Sequence, residues 1–60
     1  MKEVILELMQ NAEDNGYPVW DDYPEQVAVE LIYYTDMFTE EDFYVMIGLV
    51  EEIQKERNSA

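Results

Sequence analysis

The side chains of this sequence that could do chemistry are almost all carboxylates. There are 15 Asp and Glu residues against 3 Lys and Arg, giving a formal net charge of -12. Eight of the acids fall in three groups: Glu13 and Asp14; Asp21, Asp22 and Glu25; and Glu40, Glu41 and Asp42. His and Cys are absent, and the single serine is Ser59 near the end of the chain. Ser–His and Cys–His nucleophilic catalysis therefore lack their components. Paired carboxylates do acid–base work only where an enclosed site sets their affinities for protons apart. A chain of 60 residues leaves little room for such a pocket. These residues predict a binding protein and not an enzyme.

Metal chemistry is equally thin. Without Cys or His, zinc has no usual ligands. Asn11, Glu13, Asn15, Gly16 and Asp22 follow the outline of an EF-hand calcium loop, with Gly16 at its sixth place and Asp22 at its twelfth. The loop departs where it matters: Asn11 stands in place of the first Asp, Asp22 in place of the bidentate Glu, and Pro18 interrupts it. An Asn-Gly helix stop followed by an N-cap aspartate accounts for the same residues, so no metal and no cofactor are expected.

Acids at helix N-termini complement the helix dipole and keep small proteins soluble. Those roles explain five or six of the fifteen. They do not explain why Lys2, Lys55 and Arg57 are the only cations, with none between Glu3 and Gln54. A bland surface mixes both signs. A one-signed field repels nucleic acid and anionic membranes and attracts basic surfaces. Direct nucleic-acid binding and membrane association are therefore not expected. No run of 18 apolar residues is present to span a bilayer. The stretch MKEVILELMQ carries Glu3 and Glu7 inside its apolar run, unlike a secretory signal, and the chain reads as cytoplasmic.

Three helical segments must position these groups. The first runs from Lys2 to about Asp14, with Met1, Val4, Ile5, Leu8, Met9 and Ala12 on one stripe, Leu6 off it, and Asn15-Gly16 as its stop. In the connector, Pro18 opposes helix, and Tyr17, Val19 and Trp20 predict a lid that packs onto the core. The second helix is expected from Asp22 to about Thr35, opened by a capping box over Asp22–Glu25 with proline in the first turn. Val27, Ala28, Leu31, Ile32, Tyr34 and Phe38 make its main stripe; Val29, Tyr33 and Met37 make a second. The third helix opens at Thr39, with Phe43, Met46, Ile47, Val50 and Ile53 facing the core. Gly48 sits mid-helix, where a close approach by another element or an unoptimised position would each explain it. Most of the eight aromatics are expected in the core.

The predicted fold is all-α: one domain over residues 1–60, a compact three-helix bundle, with a helical hairpin completed by dimerisation as the alternative. In charge and size the chain resembles small phage-type proteins that block restriction, CRISPR or transcription machinery. The resemblance is one of class and is carried by no motif. It implies an inhibitor that covers the basic, nucleic-acid-binding surface of a target enzyme by charge mimicry. On that reading Glu13, Asp14, Asp21, Asp22, Glu25, Glu40, Glu41 and Asp42 are the acidic contacts. For mimicry they must gather, because net charge spread over the roughly 4,100 Å² expected for this mass gives only one per ~340 Å². The alternative is a helical adaptor, expected as a homodimer, that docks a protein partner through apolar residues Trp20, Val29, Tyr33 and Met37.

Overall fold

The computed structural model describes residues 1–59 and is a bundle of three helices, with no strand among the described residues. Helix α1 spans Lys2–Asp14, α2 spans Pro24–Tyr34 and α3 spans Phe43–Ser59; a 3-10 turn, Glu40–Asp42, leads into α3.

Each boundary has a local cause. After α1, Gly16 takes φ 91, the left-handed conformation that glycine adopts without a Cβ clash. The Gly16 N–H donates to Glu13 O (2.9 Å) and the Tyr17 N–H to Ala12 O (3.0 Å), the paired bonds of a Schellman stop. The capping box expected over Asp22–Glu25 does not form, and α2 has no side-chain cap. Pro24 occupies the first helical position, and the residue before a proline is driven to extended backbone. Tyr23 (φ -63, ψ 139) is therefore the N-cap, and Asp22 Oδ1 accepts from the Tyr23 N–H at 2.9 Å. At the start of α3, Asp42 Oδ2 accepts from the Thr39 N–H at 3.0 Å and the Asp42 N–H donates to Thr39 O at 3.0 Å, closing the turn expected there.

Helix α3 is the centre of the bundle and packs against both other helices. Helix α2 runs antiparallel to it: Gln54 Nε2 reaches Asp22 O, just before α2 begins, while Val29 and Tyr33 share a groove with Phe43 and Tyr44. Helix α1 lies across the C-terminal half of α3, with Lys2 on Glu52 and Glu56 and Glu13 on Arg57. The core joins Ile5, Met9 and Ala12 of α1, Val27, Ala28 and Leu31 of α2, and Met46, Val50 and Ile53 of α3, with Val19 and Trp20 closing it from the connector. The lid expected from Tyr17–Asp21 is thus present through two of its residues.

The apolar stripes are narrower than the sequence suggested. On α1, Met1 and Val4 are exposed, while Leu6, read as off the stripe, packs against the core. Helix α2 ends at Tyr34, so Met37 and Phe38 belong to the connector and not to helical stripes. Phe38 still packs on the core; Met37 is 64% exposed.

Gly48 is exposed, and a Cβ built there meets nothing within 4 Å. No element approaches it, so the position is unoptimised. Gly48→Ala is expected to stabilise the fold by about 0.5–1 kcal/mol by removing unfolded-state freedom. A urea midpoint unchanged or lowered in G48A would contradict this.

Candidate protein-binding surfaces

Trp20 is only 7% exposed and lies under the guanidinium of Arg57, whose Cζ is 4.1 Å from the ring centroid. It fills the core and does not offer itself to a partner, because its ring is the largest apolar group available to cover the junction of α1, α3 and the connector. The tyrosines invert the other expectation. Tyr17, Tyr23, Tyr33, Tyr34 and Tyr44 are all exposed, while Trp20, Phe38 and Phe43 are the aromatics that pack. A phenol carries a hydroxyl that needs water or a partner, and a small core supplies few.

Two concave surfaces result. The first is a groove of about 440 Å³ between the C-terminal half of α2 and the start of α3, lined by Val29, Ile32, Tyr33, Glu40, Phe43 and Tyr44. Tyr33 (86% exposed) and Tyr44 (80% exposed) stand at this surface. The sequence singled out Val29 and Tyr33 here. It missed Phe43 and Tyr44, which join them only because α2 and α3 are antiparallel. Their rings meet edge to face with centroids 5.6 Å apart.

The second is a cavity of about 380 Å³ where the end of α1 meets α2, with Ala12, Leu31, Glu30, Tyr17, Tyr33 and Tyr34 among its walls. Positions 30, 33 and 34 share one helix face by their i, i+3, i+4 spacing, a signal visible in the sequence but submerged among stripe residues. Tyr17 packs edge-on to Tyr34 (centroids 6.2 Å apart, planes at 75°), and Asn15 Nδ2 donates to the Tyr34 hydroxyl at 3.1 Å. Glu30 is half-buried, and its Oε2 is enclosed without a hydrogen-bond donor among the described residues. An enclosed acceptor left unpaired costs about 1–3 kcal/mol.

The eight acids form two groups, not one. Glu13 and Asp21 lie by the C-terminal end of α3, where Arg57 Nη2 is 3.5 Å from Glu13 Oε2. Asp14 ends α1 beside them in sequence, and Asp22 and Glu25 bracket the start of α2. Glu40, Glu41 and Asp42 sit at the opposite end of α3. Asp42 and Gln54, the residue that touches Asp22, are separated by about 18 Å of helix. Mimicry by one contiguous array of all eight is therefore not available. Asp42 is moreover engaged in capping Thr39.

All three cations are committed internally. Lys2 bridges Glu52 (3.1 Å) and Glu56, Lys55 pairs with Glu51 one turn away (2.8 Å), and Arg57 pairs with Glu13 while covering Trp20. Hydrogen bonds that the Lys2 ammonium donates to Glu56 and then Glu52 hold it above its usual pKa; the bond that Lys55 donates to Glu51 does the same for Lys55. These are surface pairs and add little stability. Their consequence is electrostatic: the three cations are shared among four carboxylates, and the other acids are left without a cationic partner among the described residues. The accessible surface is 4123 Å², as expected for the mass. No described helix is long and apolar enough to cross a membrane, and no described group of His, Cys, Asp and Glu is gathered to hold a metal ion.

The fold and surface together define a small acidic three-helix bundle with aromatic surface hollows. No family model matches the chain, and no curated protein or solved structure matches it either.

Proposed function

We propose that this protein acts by binding, not by catalysis, and that it inhibits a target enzyme by occupying its basic, nucleic-acid-binding surface. One observation carries the reading: every cation is paired with the chain's own carboxylates, so none is free to offset the remaining acids and the surface field is negative. A field of one sign accelerates encounter with a basic groove and competes there with phosphates. The two acidic groups at either end of α3 would engage two separated stretches of such a groove.

The test is displacement of labelled duplex DNA from a panel of basic nucleic-acid-binding domains. At least one domain is expected to release its DNA, and the apparent affinity of the acidic protein is expected to fall by about tenfold or more between about 50 and 200 mM salt. Joint replacement Asp21→Lys and Glu25→Lys, two exposed positions that leave the Asp22 bond to Tyr23 intact, is expected to cost about tenfold in that affinity. No displacement from any domain at low salt defeats the proposal.

The exposed Tyr33–Tyr44 groove favours a second reading, a helical adaptor that docks its partner through apolar contacts. Binding of that kind keeps most of its affinity at high salt. A homodimer through the same groove would bring two chains of charge -12 together, so dimerisation should strengthen as salt rises.

A further inference from the structure

The aromatic cavity between the end of α1 and α2 has a chemistry that the acidic groups do not. It combines three tyrosines, one carboxylate and an apolar floor. We infer that it receives a single lysine or arginine side chain presented by the basic protein partner. This rests on the reading that the partner is cationic and specifies where one of its charges is gripped.

Four observations converge. Glu30 lines the cavity, and its Oε2 is enclosed with no donor among the described residues, so its carboxylate sets an unpaired negative charge in the wall beside whatever enters. An ammonium or guanidinium supplies N–H donors and the opposite charge together. Tyr17, Tyr33 and Tyr34 line the same cavity, and aromatic faces attract cations through their quadrupole. Ala12 and Leu31 line it without polar side-chain atoms and suit the methylene stem on which lysine and arginine carry their charge. Finally, the cavity is preorganised. Tyr34 is held by Asn15, whose Nδ2 donates both to its hydroxyl and to Asn11 O (2.8 Å), and Tyr17 is fixed edge-on against Tyr34. The chain's own cations lie elsewhere, paired along α3. A volume of about 380 Å³ accommodates one such side chain and not a helix.

The assignment is tested by titrating the isotope-labelled full-length chain, followed by amide chemical shifts, with four probes. These are a capped glycine-serine peptide bearing one lysine, the same peptide with norleucine in its place, methylammonium, and octalysine. The lysine peptide is expected to move the signals of Tyr17, Glu30, Tyr33 and Tyr34 and few others; norleucine should move none of them. Glu30→Gln, which keeps the shape of the side chain, is expected to weaken the lysine peptide by about fivefold or more. Tyr33→Ala, at an exposed rim position that the fold does not need, should weaken it by a smaller factor. Circular dichroism of both variants should match the parent. The inference is overturned if the lysine peptide spreads its shifts evenly over the acidic residues, or if E30Q binds as the parent does. Methylammonium shifting the same signals at equal concentration would also overturn it, since that marks a site for free small cations. Octalysine separates the two claims: if it binds in a salt-dependent way while the single lysine avoids the cavity, the cationic-partner reading stands and this site falls. If octalysine does not bind at all, the cationic-partner reading falls with it.

Discussion

Trp20→Ala is expected to leave the chain largely unfolded at room temperature. Trp20 closes the core at the point where α1, the connector and α3 meet, near Leu6, Gln10 and Ile53. Truncating a buried tryptophan to alanine costs about 3–5 kcal/mol. A single core in a chain this short supplies only about 3–5 kcal/mol of net stability. The substitution therefore consumes most or all of it, and Arg57 also loses the ring that it covers. Trp20→Phe separates the causes. It keeps most of the apolar area and removes an indole N–H that is buried without an acceptor among the described residues. The loss in W20F should be held to about 1–2 kcal/mol, because relief of that unpaired donor offsets part of the lost contact. Urea titration followed by circular dichroism decides it. A cooperative transition in W20A within a few degrees or tenths of molar of the parent would show that the connector is not part of the core.

The second large effect belongs to Gln54, the one buried polar residue among the described residues. Its Nε2 donates to Val19 O and to Asp22 O, both at 2.9 Å, and so ties both ends of the segment that carries Trp20 to the central helix. Gln54→Leu keeps a similar volume but strands both carbonyls. The expected cost is about 2 kcal/mol, since the Asp22 carbonyl can regain water and the Val19 carbonyl has less access to it. For a domain of this size that lowers the melting temperature by about 8–16 °C. Gln54→Glu sharpens the test. An ionised carboxylate has no proton to donate and faces two carbonyl oxygens, so at neutral pH the loss should exceed that of Q54L. On acidification its protonated form donates one bond, so its deficit relative to the parent should narrow as pH falls. A Q54E variant as stable as the parent at neutral pH would mean the two bonds contribute nothing.

Both predictions concern residues whose importance lay outside the periodic patterns. Trp20 is legible in the sequence both as part of a lid and as an aromatic partner contact; at 7% exposure its place is in the lid. Gln54 carried no signal at all. A glutamine between Ile53 and Lys55 reads as an ordinary helix surface residue until the connector is folded against it.

The helices themselves were written in the sequence. Asn15-Gly16 ends α1 because glycine alone relaxes at positive φ, Pro24 opens α2 because its missing N–H has no partner to lose there, and Thr39 with Asp42 closes the turn into α3. These are local events within five residues, which is why spacing and residue type sufficed. The same proline also moved the cap from Asp22 to Tyr23, a local rule that the capping pattern masked.

The charge imbalance, too, is a property of composition, and no folding could remove it. What composition left open was placement. Only the antiparallel packing of α2 on α3 puts Phe43 and Tyr44 beside Val29 and Tyr33. Only the crossing of α1 over α3 sets Lys2 and Arg57 against Glu52, Glu56 and Glu13, and so spends the few cations internally. The antiparallel packing of α2 also sets Asp21, Asp22 and Glu25 at the opposite end of α3 from Glu40, Glu41 and Asp42. Helix crossings are chosen by which apolar faces bury most area together, a sum over residues distant in sequence. The surface hollows are what that choice leaves uncovered.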